Sequence, residues 1–403
     1  MIAPARQPVL TPPGPLKDRY DAVIIGAGGH GLAAAYHLAK DHGITDVAVL
    51  DRGLIGRGNT GRNTAIVRAN YLTSEGVRFY GRSVELWQGL SEDLGLNLFY
   101  SARGHLTLAH TDAAVRVGKW RAEVNRHEGV ESRFIGPSEV KELCPMIDLD
   151  CGGYLPILGA LYHPPGAIAA HDAVAWGYAR AAQRLGVAVH QRTAVTDILV
   201  ERGRVIGVTT PAGTIKTDRV LCAVAGHTPK LTQMVGLTTP ITVHPLQACV
   251  SEPLQPWLDA IVVSASLHCY VSQDARGDLV LGASLDPYEL HSQRSTLDFL
   301  EGLCGHLLDL FPFLGQVKIN RQWAGMADMT PDFSPIMGVT PVEGFFLDSG
   351  WGTWGFKATP VCGETMAATV ARGVNHELIE PFAIDRFERM LLVGEKGAAS
   401  VGH

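Results

Sequence analysis

The segment Gly26-Ala27-Gly28-Gly29-His30-Gly31 places three glycines at G-x-G-x-x-G spacing. Such a turn handles anions. Gly26 permits a tight turn, Gly28 lets the backbone approach a pyrophosphate, and Gly31 lets a helix pack closely on a strand. The helix that follows points its free N–H groups at the phosphate. Asp51 comes 20 residues after the last glycine, where an acid accepts ribose hydroxyls. Together these features predict a dinucleotide site, although the fingerprint alone does not separate NAD from FAD. A second glycine-rich loop, Gly350, Gly352 and Gly355, precedes another helix near the C-terminus. Its N-terminus can stabilise negative charge on a reduced flavin, which favours FAD over NAD; the other reading is a surface turn.

Other chemistries find little support. His30, His37, His42, His163, His171, His244 and His268 lack the paired His/Cys/Asp spacing of a zinc site, so no metal is expected in this chain. No G-x-S-x-G elbow is present to suggest nucleophilic hydrolysis. Trp323, Trp351 and Trp354 fall in motif segments and either shape a pocket or pack in the core. His268 receives no role. A lone His171 just before a helix ordinarily caps or satisfies a polar group there.

The elements that must hold these residues follow from the pattern. DAVIIGAGGHGLAAAYHLAKDHGITDVAVLDRG reads as strand, glycine turn, a helix of about 12 residues stopped by Gly43, and the buried strand Val47–Leu50. Asp172 to Leu185 carries apolar residues at helical spacing with Gly186 as the stop. Ala194 to Lys216 reads as a three-stranded antiparallel meander, and Asp218 to Ala223 as one more buried strand. His244 to Ile319 alternates as strands and then turns helical around Ser295 to Leu310, an α+β pattern. Gly344 to Arg372 runs from strand through glycine loop to helix, and the tail beyond Glu395 is expected to fray.

Composition sets outer limits. The chain has 403 residues, 34 Lys+Arg against 40 Asp+Glu, and a formal charge of −6, which argues against a nucleic-acid binder. Apolar residues at 46% and charged residues at 18% indicate a globular chain able to bury a large core. Seven cysteines without a Cys-x-x-Cys pair argue against a disulfide framework and for a reducing, cytoplasmic compartment. No apolar window is long enough to span a membrane, and five prolines in the first 18 residues leave no room for an export signal. Met1 to Lys17 is expected to form an extended arm, lying on a partner subunit or free as a tail.

With these motifs in place, the chain resembles the FAD-dependent amine oxidoreductases, the family of D-amino acid oxidase, glycine oxidase and the sarcosine oxidases, from about Asp21 to Arg389. GNTGRNTAIVRANY, HDAVAWGYARAA, CYVSQDARGDLVLGA and GMADMTPDFSPIMG are most similar to the beta chains of its heterotetrameric sarcosine oxidases. The resemblance implies an α/β fold with an FAD-binding Rossmann-like domain, a β-meander and an α+β substrate domain. It implies oxidation of sarcosine to glycine at FAD, with electrons passed to FMN and then to O2, giving H2O2. The one-carbon unit would leave as formaldehyde or on tetrahydrofolate.

Carried over position by position, the resemblance makes Arg68 and Lys357 the carboxylate anchors. Beyond the fingerprint it adds cofactor contacts at Arg52, Asn59, Thr60, Arg62 and Asn63. Val195, Gly352, Gly355, Phe356 and Lys357 complete them. The histidine of His-Asp-Ala-Val, His171, would carry covalent FMN between subunits. Two departures from the single-chain sarcosine oxidases agree with this. Gly325 stands where those enzymes tether FAD through cysteine, so FAD is expected to be noncovalent. Val280 stands where they carry an oxygen-activating lysine. The partners implied are alpha, gamma and delta subunits, with tetrahydrofolate, NAD and zinc in those chains. Other readings are a proline or dimethylglycine dehydrogenase subunit, a noncatalytic FAD-holding subunit and an NAD-dependent dehydrogenase. The expected domains are an arm (1–20), an FAD domain (21–103, 155–225, 325–389), a substrate domain (104–154, 226–324) and a tail (390–403).

Overall fold

A computed structural model describes residues 10–396. It shows two main sheets side by side. The first has six strands in the order Ile336–Val339, Phe345–Ser349, Val220–Cys222, Ala22–Ile25, Val47–Leu50 and Ala188–His190. All pair parallel except the antiparallel edge strand Ile336–Val339. Helices lie on the sheet, so its central strands are buried along their whole length and read as unbroken apolar runs.

The helix after the fingerprint runs Gly29–His42, longer than expected because it opens inside the glycine turn. It ends where Gly43 adopts the left-handed conformation at φ +66°. Its Ala33 and His37, one turn apart on one face, meet Gly363 of the C-terminal helix Gly355–Arg372 closely; a Cβ on Gly363 would come within 2.6 Å of the Ala33 Cβ and 2.8 Å of the His37 ring. The helix expected at Asp172–Leu185 is His171–Arg184, which makes His171 its first residue.

The meander Asp197–Glu201, Arg204–Thr210 and Gly213–Lys216 forms as read, with Arg202 and Gly203 turning at positive φ. The second main sheet has eight strands and is mixed. It runs Ile319–Met329, Thr242–Pro253, Asp278–Leu285, Cys269–Gln273, Ile261–Ser264, His105–Ala109, Gly159–His163 and Arg133–Ile135. A small sheet joins Ile66–Val67 and Ser101–Ala102 to Ala167–Ile168.

The expected boundaries need revision. The limit at 155 puts Gly159–His163 with the FAD pieces, whereas it pairs inside the eight-stranded sheet, and the limit at 325 cuts one continuous strand. Leu231 and Val235, expected in the substrate domain, pack with Val23 and Val220 of the six-stranded sheet. Thr11 exchanges hydrogen bonds with Gln183 on the chain's own helix (2.8 and 3.3 Å), while residues 1–9 of the expected arm lie outside the described residues. The C-terminal segment up to Glu395 is held down: Val393 N donates to Asp332 Oδ2 (3.1 Å), and Glu395 is 1% exposed. Among the described residues no helix is long and apolar enough to cross a membrane. All seven cysteines are free.

Candidate active site

One cavity of about 830 Å³ opens between the two main sheets. The fingerprint residues Gly26, Gly28, Gly29 and His30 line one part of it, with Asp51 and Arg52. Gly31 does not line it and acts from behind. A Cβ there would run into the Gly26 carbonyl oxygen, so only glycine lets the helix start this close to its strand. Gly26 itself turns at φ +114°. Asp51 takes the Ala27 N–H on Oδ2 (2.8 Å) and the Gly53 N–H on Oδ1 (2.6 Å), leaving further lone pairs for hydroxyl donors.

The turn Asn59–Asn63 forms the facing wall, and all of Asn59, Thr60, Arg62 and Asn63 line the cavity. Thr60 Oγ1 accepts the Gly29 N–H at 3.0 Å, tying this turn to the fingerprint helix. Asn59 bridges to the eight-stranded sheet through Met326 O (2.6 Å) and Met326 N (3.0 Å). Trp323 Nε1 donates to Arg62 O at 2.7 Å, so this tryptophan braces the turn from outside the cavity. Arg52 contacts the His227 ring at 2.7 Å, and Val195 closes the far end.

The C-terminal glycine loop supplies the third wall, with Trp351, Gly352, Trp354, Gly355, Phe356 and Lys357 all lining. The Lys357 carbonyl is gripped by Ser83 Oγ (2.5 Å) and Trp87 Nε1 (2.9 Å), which fixes the first turn of the helix. His30 binds this loop to the fingerprint. Its Nε2 lies 2.7 Å from Gly355 O and its Nδ1 3.1 Å from Asp348. A carbonyl oxygen only accepts, so Nε2 carries a proton. Burial alone would lower the His30 pKa, but Asp348 outweighs it and the net shift is upward. His30, Asp348 and Cys362 come within metal-ligand range of one another, yet both ring nitrogens are committed and burial holds the thiol protonated. The group is an ion pair with a neutral thiol beside it.

Arg68 and Lys357 meet at the same cavity, 4% and 7% exposed. Arg68 Nη1 donates to Asn70 Oδ1 at 2.8 Å and its guanidinium lies 4.7 Å over the Tyr71 ring. Lys357 Nζ reaches Thr353 O at 3.4 Å. Burial first, and Arg68 second, push the Lys357 amine well below the usual lysine range. An entering carboxylate supplies the missing counter-charge and draws the proton back.

His105 lines the same region at 1% exposure, with its imidazole held neutral by burial and then by Arg68. Asp328 lines it too. Burial raises its carboxyl to about 7, and its Oδ1 has no hydrogen-bond partner. The sequence reading missed both; their one signal was a polar residue at an inward position of a buried strand.

His171 is outside this cavity. Its Nδ1 is buried without a partner, and burial holds the ring below the usual histidine range against the pull of Asp172. Its helix follows directly on Ala167–Ile168, the strand paired with Ile66, which lines the cavity. Val280 does not line the cavity; Tyr270 and Ala248 of the neighbouring strands, on the same face of the sheet, do. His268 is exposed and likewise outside.

Comparison with known proteins decides the family. Residues 21–369 match the family described as DAO, FAD dependent oxidoreductase. The chain belongs to this family. It is 44% identical over 387 residues to sarcosine oxidase subunit beta of an Arthrobacter species, covering 96% of both chains. It is 43% identical to the Rhizobium meliloti protein of the same name, over 94% of this chain and 91% of that one. Among solved structures, L-proline dehydrogenase from P. horikoshii superposes with a TM-score of 0.88 at 28% identity, over 94% of this chain and all of that one.

The cavity of this FAD-dependent oxidoreductase fits a flavin dinucleotide. A Cβ on Gly28 would press on Thr60 Oγ1 at 3.3 Å, so glycine leaves the backbone bare at the turn without crowding that contact. The helix starting at Gly29 points its N–H groups there, and the helix starting at Gly355 does so at the other wall. Gly325 also lines the cavity, and a Cβ added to it would meet no atom closer than 3.5 Å, so the wall at this point is flat.

Proposed function

We propose that this chain is the catalytic beta subunit of a multi-subunit sarcosine oxidase, binding FAD noncovalently in the cavity. The observation that carries this reading is the meeting of Arg68 and Lys357, two buried cationic side chains, at the wall of a dinucleotide cavity. FAD, when bound, supplies a two-electron acceptor for the C–H bond next to an amine nitrogen. The chain's own residues do the rest. Arg68 offers a planar fork and Lys357 a point charge to one carboxylate. The low dielectric around them strengthens both contacts. Neutral His105 stands beside them as a polar group that does not repel an amine. Trp351 and Trp354, 6% and 3% exposed, exclude water from the glycine loop.

His171 is the proposed attachment point of a second flavin, FMN, outside the cavity. A neutral imidazole with an unpartnered nitrogen is the chemistry a covalent flavin link requires. His171 comes three residues after Ile168, roughly 10 Å of chain at most, and Ile168 pairs with Ile66 at the cavity wall, which supports placing a second flavin near the first. Electrons would leave through FMN to O2, giving H2O2, and the one-carbon unit would leave as formaldehyde or on tetrahydrofolate. The alpha, gamma and delta partners, with any NAD or zinc, complete that assembly, and the compartment is the cytoplasm.

The reading is tested by comparing sarcosine, dimethylglycine and proline as reductants of the FAD-loaded protein. Sarcosine reacting fastest supports it; proline reacting fastest turns the assignment to a proline dehydrogenase subunit, a reading favoured by the fold match at 28% identity.

A further inference from the structure

The loop Arg68–Thr73 carries the proposed anchor and then enters the helix Ser74–Leu94. Its backbone is held by side chains from remote segments. The Ala69 N–H donates to His163 Nε2 at 3.2 Å. The Asn70 carbonyl accepts from Arg121, through Nε at 2.6 Å and through Nη2. Arg68 Nη1 shares that carbonyl at 3.2 Å. Asn125 Nδ2 donates to Tyr71 O at 2.8 Å. The Leu72 and Thr73 N–H groups donate to Glu395 Oε2 (3.0 Å) and Oε1 (2.9 Å), and the Thr73 hydroxyl donates to Oε1 as well. Thr73 Oγ1 in turn accepts the Gly76 N–H at 3.0 Å and so caps the helix.

Gly76 makes room for this arrangement, since a Cβ there would run into Glu395 Oε1. Glu395 is delivered by the C-terminal segment. That segment is pinned by the Glu395 N–H on Asp332 O (3.1 Å) and by the buried pair of Asp332 with Arg386 (2.8 Å). Neither Arg121 nor Glu395 lines the cavity, although both are buried, at 3% and 1% exposure. Their charges are linked. Burial, then Arg68, lowers the Arg121 pKa to about 9, and the Glu395 carboxylate opposes that fall.

We propose that Arg121 and Glu395 are positioning residues for the substrate anchor. Holding the Arg68–Thr73 loop from behind, they set the place of the Arg68 guanidinium and thereby the selection of amines that carry a carboxylate. The inference rests on Arg68 being that anchor. A guanidinium sharing an acceptor with a second, bidentate guanidinium has little freedom, and that rigidity is what turns a flexible arginine into a selective anion site.

The test is the kinetics of Arg121→Lys and Glu395→Gln in the FAD-loaded protein, with sarcosine and its uncharged amide as substrates. Arg121→Lys keeps the charge but cannot bridge the Asn70 carbonyl through two nitrogens. Glu395→Gln places an NH2 group against an N–H donor. Each variant is expected to raise KM for sarcosine by about tenfold or more with kcat within about threefold, and to lower the preference for sarcosine over its amide by the same factor. FAD content and visible spectrum stay unchanged. Unchanged KM and preference would overturn the proposal. KM, kcat and FAD content all deteriorating together would also overturn it, as the mark of a merely structural role. If Glu395→Gln does not fold, Arg121→Lys decides. Arg68→Met run alongside separates the two levels: if it leaves the preference intact, the anchor reading itself has failed.

Discussion

Lys357→Met is expected to move stability and substrate binding in opposite directions. The Lys357 amine is buried, its hydrogen bond to Thr353 O is a long 3.4 Å contact, and Arg68 repels it. A buried polar group so poorly paired costs on the order of 1–3 kcal/mol, and methionine fills nearly the same volume without that cost. The variant should therefore unfold at higher temperature. The carboxylate of the substrate would lose a charge-assisted hydrogen bond, about 1.5–3 kcal/mol. At about 1.4 kcal/mol per tenfold, that is roughly a 10- to 100-fold rise in KM. Thermal melts of the FAD-loaded protein and steady-state kinetics with sarcosine read both effects. A lower melting temperature with unchanged KM would refute the reasoning on both counts.

Further outcomes follow from the same geometry. Because the Lys357 pKa lies below the usual 10.5, the unfolded chain binds the extra proton between the two values; stability should rise with pH in that window, and the rise should vanish in Lys357→Met. Carboxylate binding favours the ammonium form, so affinity for sarcosine should fall as pH climbs through the lowered value, as titrations in buffers of different pH would show. Gly31→Ala should lower FAD retention about tenfold or more, because the new Cβ meets the Gly26 carbonyl and shifts the helix N-terminus; the flavin-to-protein absorbance ratio measures this. Acid-denatured, washed protein should keep a flavin mass on the peptide containing His171, and His171→Ala should release all of it.

Much of the site was legible because it is local. The fingerprint, its helix and Asp51 fall within one strand–helix–strand unit, and the second glycine loop announces itself by composition. What the residue pattern does not carry is non-local pairing. Gly159–His163 looks like a neighbour of the helix that follows, yet it pairs with His105–Ala109 and Arg133–Ile135. The continuous strand Ile319–Met329 spans the expected boundary at 325, passing from exposed residues at its start to buried ones at Ala327–Met329 within one unbroken edge strand of the eight-stranded sheet. Arg121 and Glu395 escaped notice for a related reason: each acts through the backbone of a distant loop, and neither sits in a motif. Glu395 stands immediately before the stretch read as a frayed tail, yet it is among the most buried charged groups of the described residues; residues 397–403 of that tail lie outside them. Val280 shows a different limit: through its partners Val250 and Ser272 it shares the sheet face of Ala248 and Tyr270, yet it stands beyond the residues that line the cavity.

The most direct test of the central claim is anaerobic mixing of the FAD-loaded protein with sarcosine while the visible flavin absorbance is followed. The account predicts bleaching by sarcosine in the wild-type protein and its loss, at full FAD content, in Arg68→Met. No bleaching of the fully loaded wild-type protein, or equal bleaching of the variant, would contradict it.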